Sequence, residues 1–180
     1  MSLLMFPNRK NIRLKGYDYS ADGYYYITIC TKEKKHLFGR IVDKKLFLND
    51  IGKMVEAEIK KIPDYFEFAQ LDEYVVMPNH LHFIIILDKS NLVDTSLLIP
   101  QKNLNFSKFA NPNSKSVSFI IQQLKASVKR WCNKNNHEQF QWQNRFFDRI
   151  VRNEEELCTY REYIKDNVIN WDKSNLEGSN

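Results

Sequence analysis

Eight consecutive residues, His80 to Leu87 (HLHFIIIL), constrain the fold more than any other stretch of the chain. Apart from the two histidines every position is apolar, so both faces of a strand here must be covered, and the strand is central in its sheet. Pro78-Asn79 breaks the chain just before it, and LDEYVVM within residues 66–77 supplies a strand on the far side of that break. Tyr24 to Thr31 (YYYITICT), β-branched and aromatic after Gly23, reads as a buried first strand. Leu37 to Leu48 fits a short hairpin turning at Asp43-Lys44-Lys45. Asn49 or Asp50 caps a helix through Ile62, with Ile51, Met54, Val55, Glu58 and Ile59 at helical spacing and Pro63 as its stop. Residues 88–116, rich in Asn, Ser and Lys, read as a long loop or insertion. Ser116 or Ser118 begins a helix through about Lys134 that buries Phe119, Ile120, Leu124, Val128 and Trp131. Phe140 to Phe147 is a short aromatic stretch, and Asn153 caps a last helix with Glu154, Glu155 and Glu156 in its first turn. The order strand, helix, strand, strand, helix, helix predicts a single α+β domain over 1–180, an antiparallel sheet with helices on one face.

Composition narrows the function classes. With 43% hydrophobic and 27% charged residues and only five Gly and five Pro among 180, the chain is neither disordered nor collagen-like. The longest apolar run is strand-sized, which argues against a transmembrane protein, and Met1 to Lys10 has no apolar centre of a signal peptide. Cys30, Cys132 and Cys158 are odd in number and widely spaced, which points away from a disulfide framework or zinc finger and toward a reducing cytoplasm. The net charge of +5 is unevenly placed: residues 1–40 carry +5, residues 115–152 carry +6, and the remainder is therefore acidic at −6. Two basic segments on an acidic remainder suit a polyanion surface, although two solvated faces give the same pattern.

Within the central strand, His80 and His82 are two apart and project from one face, where two imidazoles can converge on a divalent cation. The same pair also fits two satisfied histidines of a core strand, but imidazoles among isoleucines cost desolvation unless they have partners. In the last helix Leu157, Tyr160, Ile164 and Val168 form the buried stripe. Tyr163 and Asn167, four apart, lie about 100° round from Ile164. Tyr160 is therefore the packing tyrosine and Tyr163 stands at the edge of the buried face. An unmodified tyrosine has a pKa near 10 and acts as a nucleophile only on an electrophile already polarised.

Four stretches carry a resemblance: RLKGYDYSADGYYYITICT, LFGRIV, LDEYVVMPNHLHFIIIL and QWQNRFFDRIVRNEEELCTYREYIKDN. In order and spacing, from about Arg9 to Asn170, the chain resembles the REP-associated tyrosine transposases, single-tyrosine members of the HUH endonuclease superfamily. Only the 88–116 loop is unmatched. The resemblance implies a ferredoxin-like fold with the HUH strand central. It also implies metal-binding roles for His80 and His82, Tyr163 as catalytic tyrosine, and Asn167 as the polar residue that completes the metal site. Family members usually have Pro after that Asn, whereas this chain has Val168, so its last helix is expected to run on.

The implied activity is a single-stranded DNA endonuclease and strand transferase. It requires Mg²⁺ or Mn²⁺, passes through a 5′-phosphotyrosine and acts on palindromic repeats folded as hairpins. Neutral histidines are needed for ligation, which sets an expected fall in activity below about pH 6. Arg9, Lys10, Arg13, Lys125, Lys129, Arg130, Arg145, Arg149 and Arg152 are candidates for phosphate contact. Trp142, with Phe146 and Phe147, is a candidate for base stacking, against the alternative of core packing. Related transposases act as dimers with shared sites and the REP-associated branch can act as a monomer, so a homodimer stays open. Two rivals also stay open: a domesticated hairpin DNA-binding protein that no longer cleaves, and a metal-dependent hydrolase with a water nucleophile.

Overall fold

In the computed structural model, which describes residues 17–90 and 115–171, the strand β1 (Gly23–Cys30) pairs antiparallel along its whole length with the His80–Leu87 strand. Gly23 stands opposite Leu87, Thr28 opposite His82 and Cys30 opposite His80. A short 3₁₀ turn, Lys32–Lys34, leads to a hairpin of β2 (Gly39–Val42) and β3 (Lys45–Leu48). Its two-residue turn places Asp43 (φ 48°) and Lys44 (φ 57°) in the left-handed region, as a type I′ hairpin demands. Then follow α1 (Asp50–Lys60), α2 (Ile62–Tyr65), β4 (Ala69–Val76), β5 (His80–Leu87), α3 (Val117–Lys134), β6 (Phe147–Val151) and α4 (Glu154–Asp166). The main sheet runs β4-β5-β1-β6, antiparallel throughout, so β5 is central as its two-sided apolar pattern requires. Taken in chain order, β1, α1, β4, β5, α3 and β6 make the β-α-β-β-α-β ferredoxin-like unit.

Alternation along the strands divides the sheet between two cores. Tyr25, Ile27 and Ile29 of β1 and Leu81, Phe83 and Ile85 of β5 face α1 and α3, meeting Ile51, Val55 and Ile59 from one helix and Ile120, Leu124 and Val128 from the other. The opposite face carries Tyr26 and Ile84, covered by Leu157, Tyr160 and Ile164 of α4. Helices therefore cover both faces, not one. The cause is the second apolar stripe of α4, which needs a surface that α1 and α3 leave open.

Two further expectations change. Phe147–Val151 is a five-residue edge strand, of which only Phe147 belongs to the aromatic stretch Phe140 to Phe147. Its core-facing residues include Asp148, and Arg149 interrupts its other face, so it lacks the apolar signature of a strand. Pro63 does not end the helical region outright: α1 stops at Lys60, and Pro63 sits in the first turn of α2, where its missing N–H has no helical partner to lose. The caps fall where the sequence puts them. Asn49, Ser116 and Asn153 each accept a backbone N–H with their side chains, from Gly52, Phe119 and Glu156 respectively. Of the 88–116 loop, residues 91–114 lie outside the described residues, as do Arg9, Lys10 and Arg13.

Candidate active site

His80 and His82 project from the α4 face of β5 with their ring centroids 4.5 Å apart. His80 Nδ1–H donates to Asn79 Oδ1 at 2.6 Å; an amide oxygen only accepts, so the proton sits on Nδ1 and Nε2 keeps its lone pair. His82 Nδ1 lies 2.7 Å from the Tyr26 hydroxyl and 2.8 Å from Thr28 Oγ1. Either hydroxyl can donate to or accept from that nitrogen, so these contacts fix the orientation of the His82 ring. Burial is the main cause that lowers both imidazoles, His80 to about 4 and His82 well below its ordinary value. Both rings are therefore neutral, the ligating form. Desolvation disfavours both protonated forms, so the lone pairs stay available below the ordinary imidazole range.

Helix α4 brings the tyrosines. Tyr160, 3% exposed, stacks on Tyr26 at 4.3 Å between centroids, while Tyr163 is half-buried with its ring 5.3 Å from that of His82. The helix-face expectation holds: one tyrosine packs and the other edges into the space beside the histidines. Two ion pairs fix the rotation of α4 on β4. Arg161 donates from Nε at 2.9 Å and from a terminal nitrogen at 2.8 Å to Asp72, and Lys165 Nζ lies 3.0 Å from Glu73. Both acids fall in the register shift between Leu71 and Tyr74, where the local irregularity lets consecutive residues reach the same helix. Asn167 caps the C-terminal end of α4, and in the absence of proline the chain continues in turns, Asn170 N–H donating to the Asp166 carbonyl at 3.0 Å.

Tyr26, Thr28, His80, His82 and Tyr163 surround a cavity of about 340 Å³, completed by Cys30, Lys34, Asn79, Phe147 and Trp171. Asn167 does not line it. Among the described residues no group of three His, Cys, Asp or Glu side chains converges to hold an ion. Two adjacent neutral imidazoles still fit a divalent cation that takes mixed nitrogen and oxygen ligands, with an amide, water or phosphate oxygens in the other positions. The orienting residues Tyr26, Thr28 and Asn79 escape sequence reasoning, although Tyr26 and Thr28 alternate onto the face that the β1–β5 register matches to His82. Trp171, stacked on His80 at 6.0 Å, had no pattern to signal it.

The basic and aromatic candidates separate on inspection. Lys125 Nζ donates to the Gln143 carbonyl at 2.8 Å, and burial lowers its ammonium to about 8. Lys129 Nζ donates to the carbonyls of Glu138 and Phe140, both at 2.7 Å. These two lysines tie down the connection between α3 and β6. Trp142 packs against Phe38 and Phe140 and donates its indole N–H to the Lys125 carbonyl at 3.2 Å. Phe146 packs against the main core and Phe147 lines the cavity. Arg149 pairs with Glu156 at 3.6 Å, whereas Arg130, Arg145 and Arg152 are exposed. No helix among the described residues is long and apolar enough to cross a membrane.

Comparison with known proteins follows the same lines. No family model matches the chain. An uncharacterized protein of Haemophilus influenzae is 36% identical over 176 residues, covering 94% of this chain and 93% of that protein. Among solved structures, a REP-associated tyrosine transposase bound to a REP hairpin superposes with a TM-score of 0.56 at 17% identity, over 87% of this chain and 73% of the other. By sequence the chain belongs to one family with the Haemophilus influenzae protein, and by fold it stands with the REP-associated tyrosine transposase.

Proposed function

We propose that the protein is a single-stranded DNA endonuclease and strand transferase that acts on hairpin-forming palindromic repeats. One observation carries this reading: a tyrosine ring and two buried, neutral imidazoles border a single cavity on the same sheet face. The solved transposase of the same fold is bound to a REP hairpin, which supports DNA as the substrate class.

Tyr163 is the nucleophile in this reading. Its phenolic oxygen attacks the phosphorus of a DNA phosphodiester in line, the P–O3′ bond breaks, and the phosphoryl group stays on Tyr163 as a 5′-phosphotyrosine. The phenolic proton leaves to solvent and the departing 3′ oxygen gains one. A second 3′-hydroxyl attacks the same phosphorus and releases Tyr163, joining strands without ATP because the ester conserves the bond. His80 and His82 would hold Mg²⁺ or Mn²⁺ through Nε2, with Asn167 as third ligand if the end of α4 turns inward; bound there, the ion supplies Lewis-acid polarisation of the phosphate. Asn79 holds His80 in the ligating tautomer, and Tyr26 and Thr28 orient the His82 ring. Leu157, Tyr160 and Ile164 seat α4 so that Tyr163 stays within reach. The test is a denaturation-resistant protein–DNA adduct on a labelled single-stranded repeat, present in wild type and absent in Tyr163→Phe.

A further inference from the structure

Lys32, Lys34 and Lys35 follow one another closely after β1, and the structure gives them different tasks. Lys32 is taken by Gln141, its backbone N–H donating to the Gln141 carbonyl and its ammonium to Gln141 Oε1, each at 2.9 Å. Lys35 pairs with Glu33 at 2.9 Å. Lys34 lines the cavity shared by His80, His82 and Tyr163, and among the described residues no carboxylate pairs with it. Of the side chains bordering that cavity it is the one ammonium, and the cavity has no guanidinium or carboxylate.

The backbone is shaped around this residue. Glu33 and Lys34 both adopt left-handed conformations, φ 58° and 52°, which non-glycine residues hold only when their surroundings enforce them. Enforcement comes from Thr31, whose N–H donates to the Asn79 carbonyl at 2.9 Å and whose hydroxyl reaches the carbonyls of Lys35 at 2.7 Å and Asn79 at 3.0 Å. Asn79 is also the residue whose side chain orients His80, so one residue ties the Lys34 turn to the histidine pair.

We infer that Lys34 is a catalytic residue whose ammonium hydrogen-bonds a non-bridging oxygen of the phosphate attacked by Tyr163 and offsets the charge that oxygen gains in the transition state. The inference rests on the endonuclease reading above and assigns the site its phosphate clamp. Lys35→Ala, a neighbouring exposed lysine, is the control.

Two measurements test it. In single-turnover adduct formation, Lys34→Ala slows the rate by about ten- to a hundredfold, Lys34→Arg recovers part of it, and Lys35→Ala matches wild type. The second arm needs no cleavage. In the Tyr163→Phe background, binding is measured to hairpin oligonucleotides with a single-stranded flank in which each phosphate in turn is a neutral methylphosphonate. One flank position weakens binding when Lys34 is present; with Lys34→Ala that position alone stops mattering, while the others keep their effects. An adduct at the wild-type rate in Lys34→Ala, or an unchanged methylphosphonate profile, overturns the Lys34 assignment and leaves the endonuclease reading standing. A wild-type protein that binds the hairpin but forms no adduct overturns the endonuclease reading and, with it, the catalytic role of Lys34; the profile then decides only whether Lys34 grips a phosphate. Failure of wild type to bind the hairpin overturns both.

Discussion

Tyr160 and Tyr163 are three residues apart on one helix, and their environments assign them opposite tasks. Tyr160→Ala removes a ring stacked on Tyr26 and is expected to cost about 3–5 kcal/mol in urea unfolding, as large buried aromatics do. Tyr160→Phe keeps that ring and should keep the DNA adduct, whereas Tyr163→Phe should keep stability and lose the adduct. Loss of the adduct in Tyr160→Phe would reverse the assignment. The histidines give a second prediction. Their folded-state values lie below the ordinary 6.5, so between about 4 and 6.5 the unfolded chain binds more protons than the folded one. The stability they contribute is fully present above pH 6.5 and is lost as pH falls toward 4. Urea midpoints at pH 7, 5 and 4 should therefore drop more steeply for wild type than for His80→Asn; equal slopes would contradict buried, neutral imidazoles. The pairing of His80 with His82 and the edge position of Tyr163 are legible from period two and period 3.6 alone. Their orienting partners are not, because Tyr26, Thr28 and His82 meet only through the antiparallel register of strands far apart in the chain.

At the scale of elements, the placement of α4 decides whether a tyrosine reaches the histidines. Arg161 and Lys165 hold the helix to the irregular stretch of β4 through Asp72 and Glu73. Asp72→Asn should cost about 1 kcal/mol of stability, in keeping with a partly exposed pair. Its effect on the adduct rate should be larger than that stability loss explains, since Tyr163 rides on the same helix. A rate unchanged from wild type would show that the apolar stripe alone fixes α4. The strands β1, β4 and β5 and the helices α1, α3 and α4 are readable because each carries a periodic apolar face, a cap or both. Strand β6 is not readable in the same way: five residues with Asp148 and Arg149 in the middle have no alternation of apolar and polar side chains, and only pairing with β1 makes them a strand. The face that α4 covers is equally silent in the sequence, since an amphipathic helix reports that it packs but not on which surface.

For the molecule as a whole, the two basic segments read from the sequence resolve into different kinds of cation. Lys125 and Lys129 cap carbonyls of the connection before β6, while Arg130, Arg145 and Arg152 remain on the surface. Charge counting along a sequence cannot separate these, because a lysine that closes off a loop and a lysine that meets a phosphate contribute the same +1. The salt dependence of hairpin binding does separate them. Each arginine that meets a phosphate should, when changed to Ala, reduce the slope of log affinity against log salt by about 0.7–0.9. Lys125→Met and Lys129→Met should leave the slope unchanged and lower the melting temperature. The reverse pattern would move the DNA to the α3–β6 connection. The central claim, that one sheet face and one helix build a tyrosine nuclease, is tested most directly by a covalent adduct. A labelled single-stranded oligonucleotide carrying a hairpin-forming palindromic repeat is incubated with the protein and Mn²⁺ or Mg²⁺, then denatured. The expected result is an adduct in wild type that disappears in both Tyr163→Phe and His80→Ala. Tight hairpin binding with no adduct under either metal would contradict the claim and leave a DNA-binding protein that does not cut.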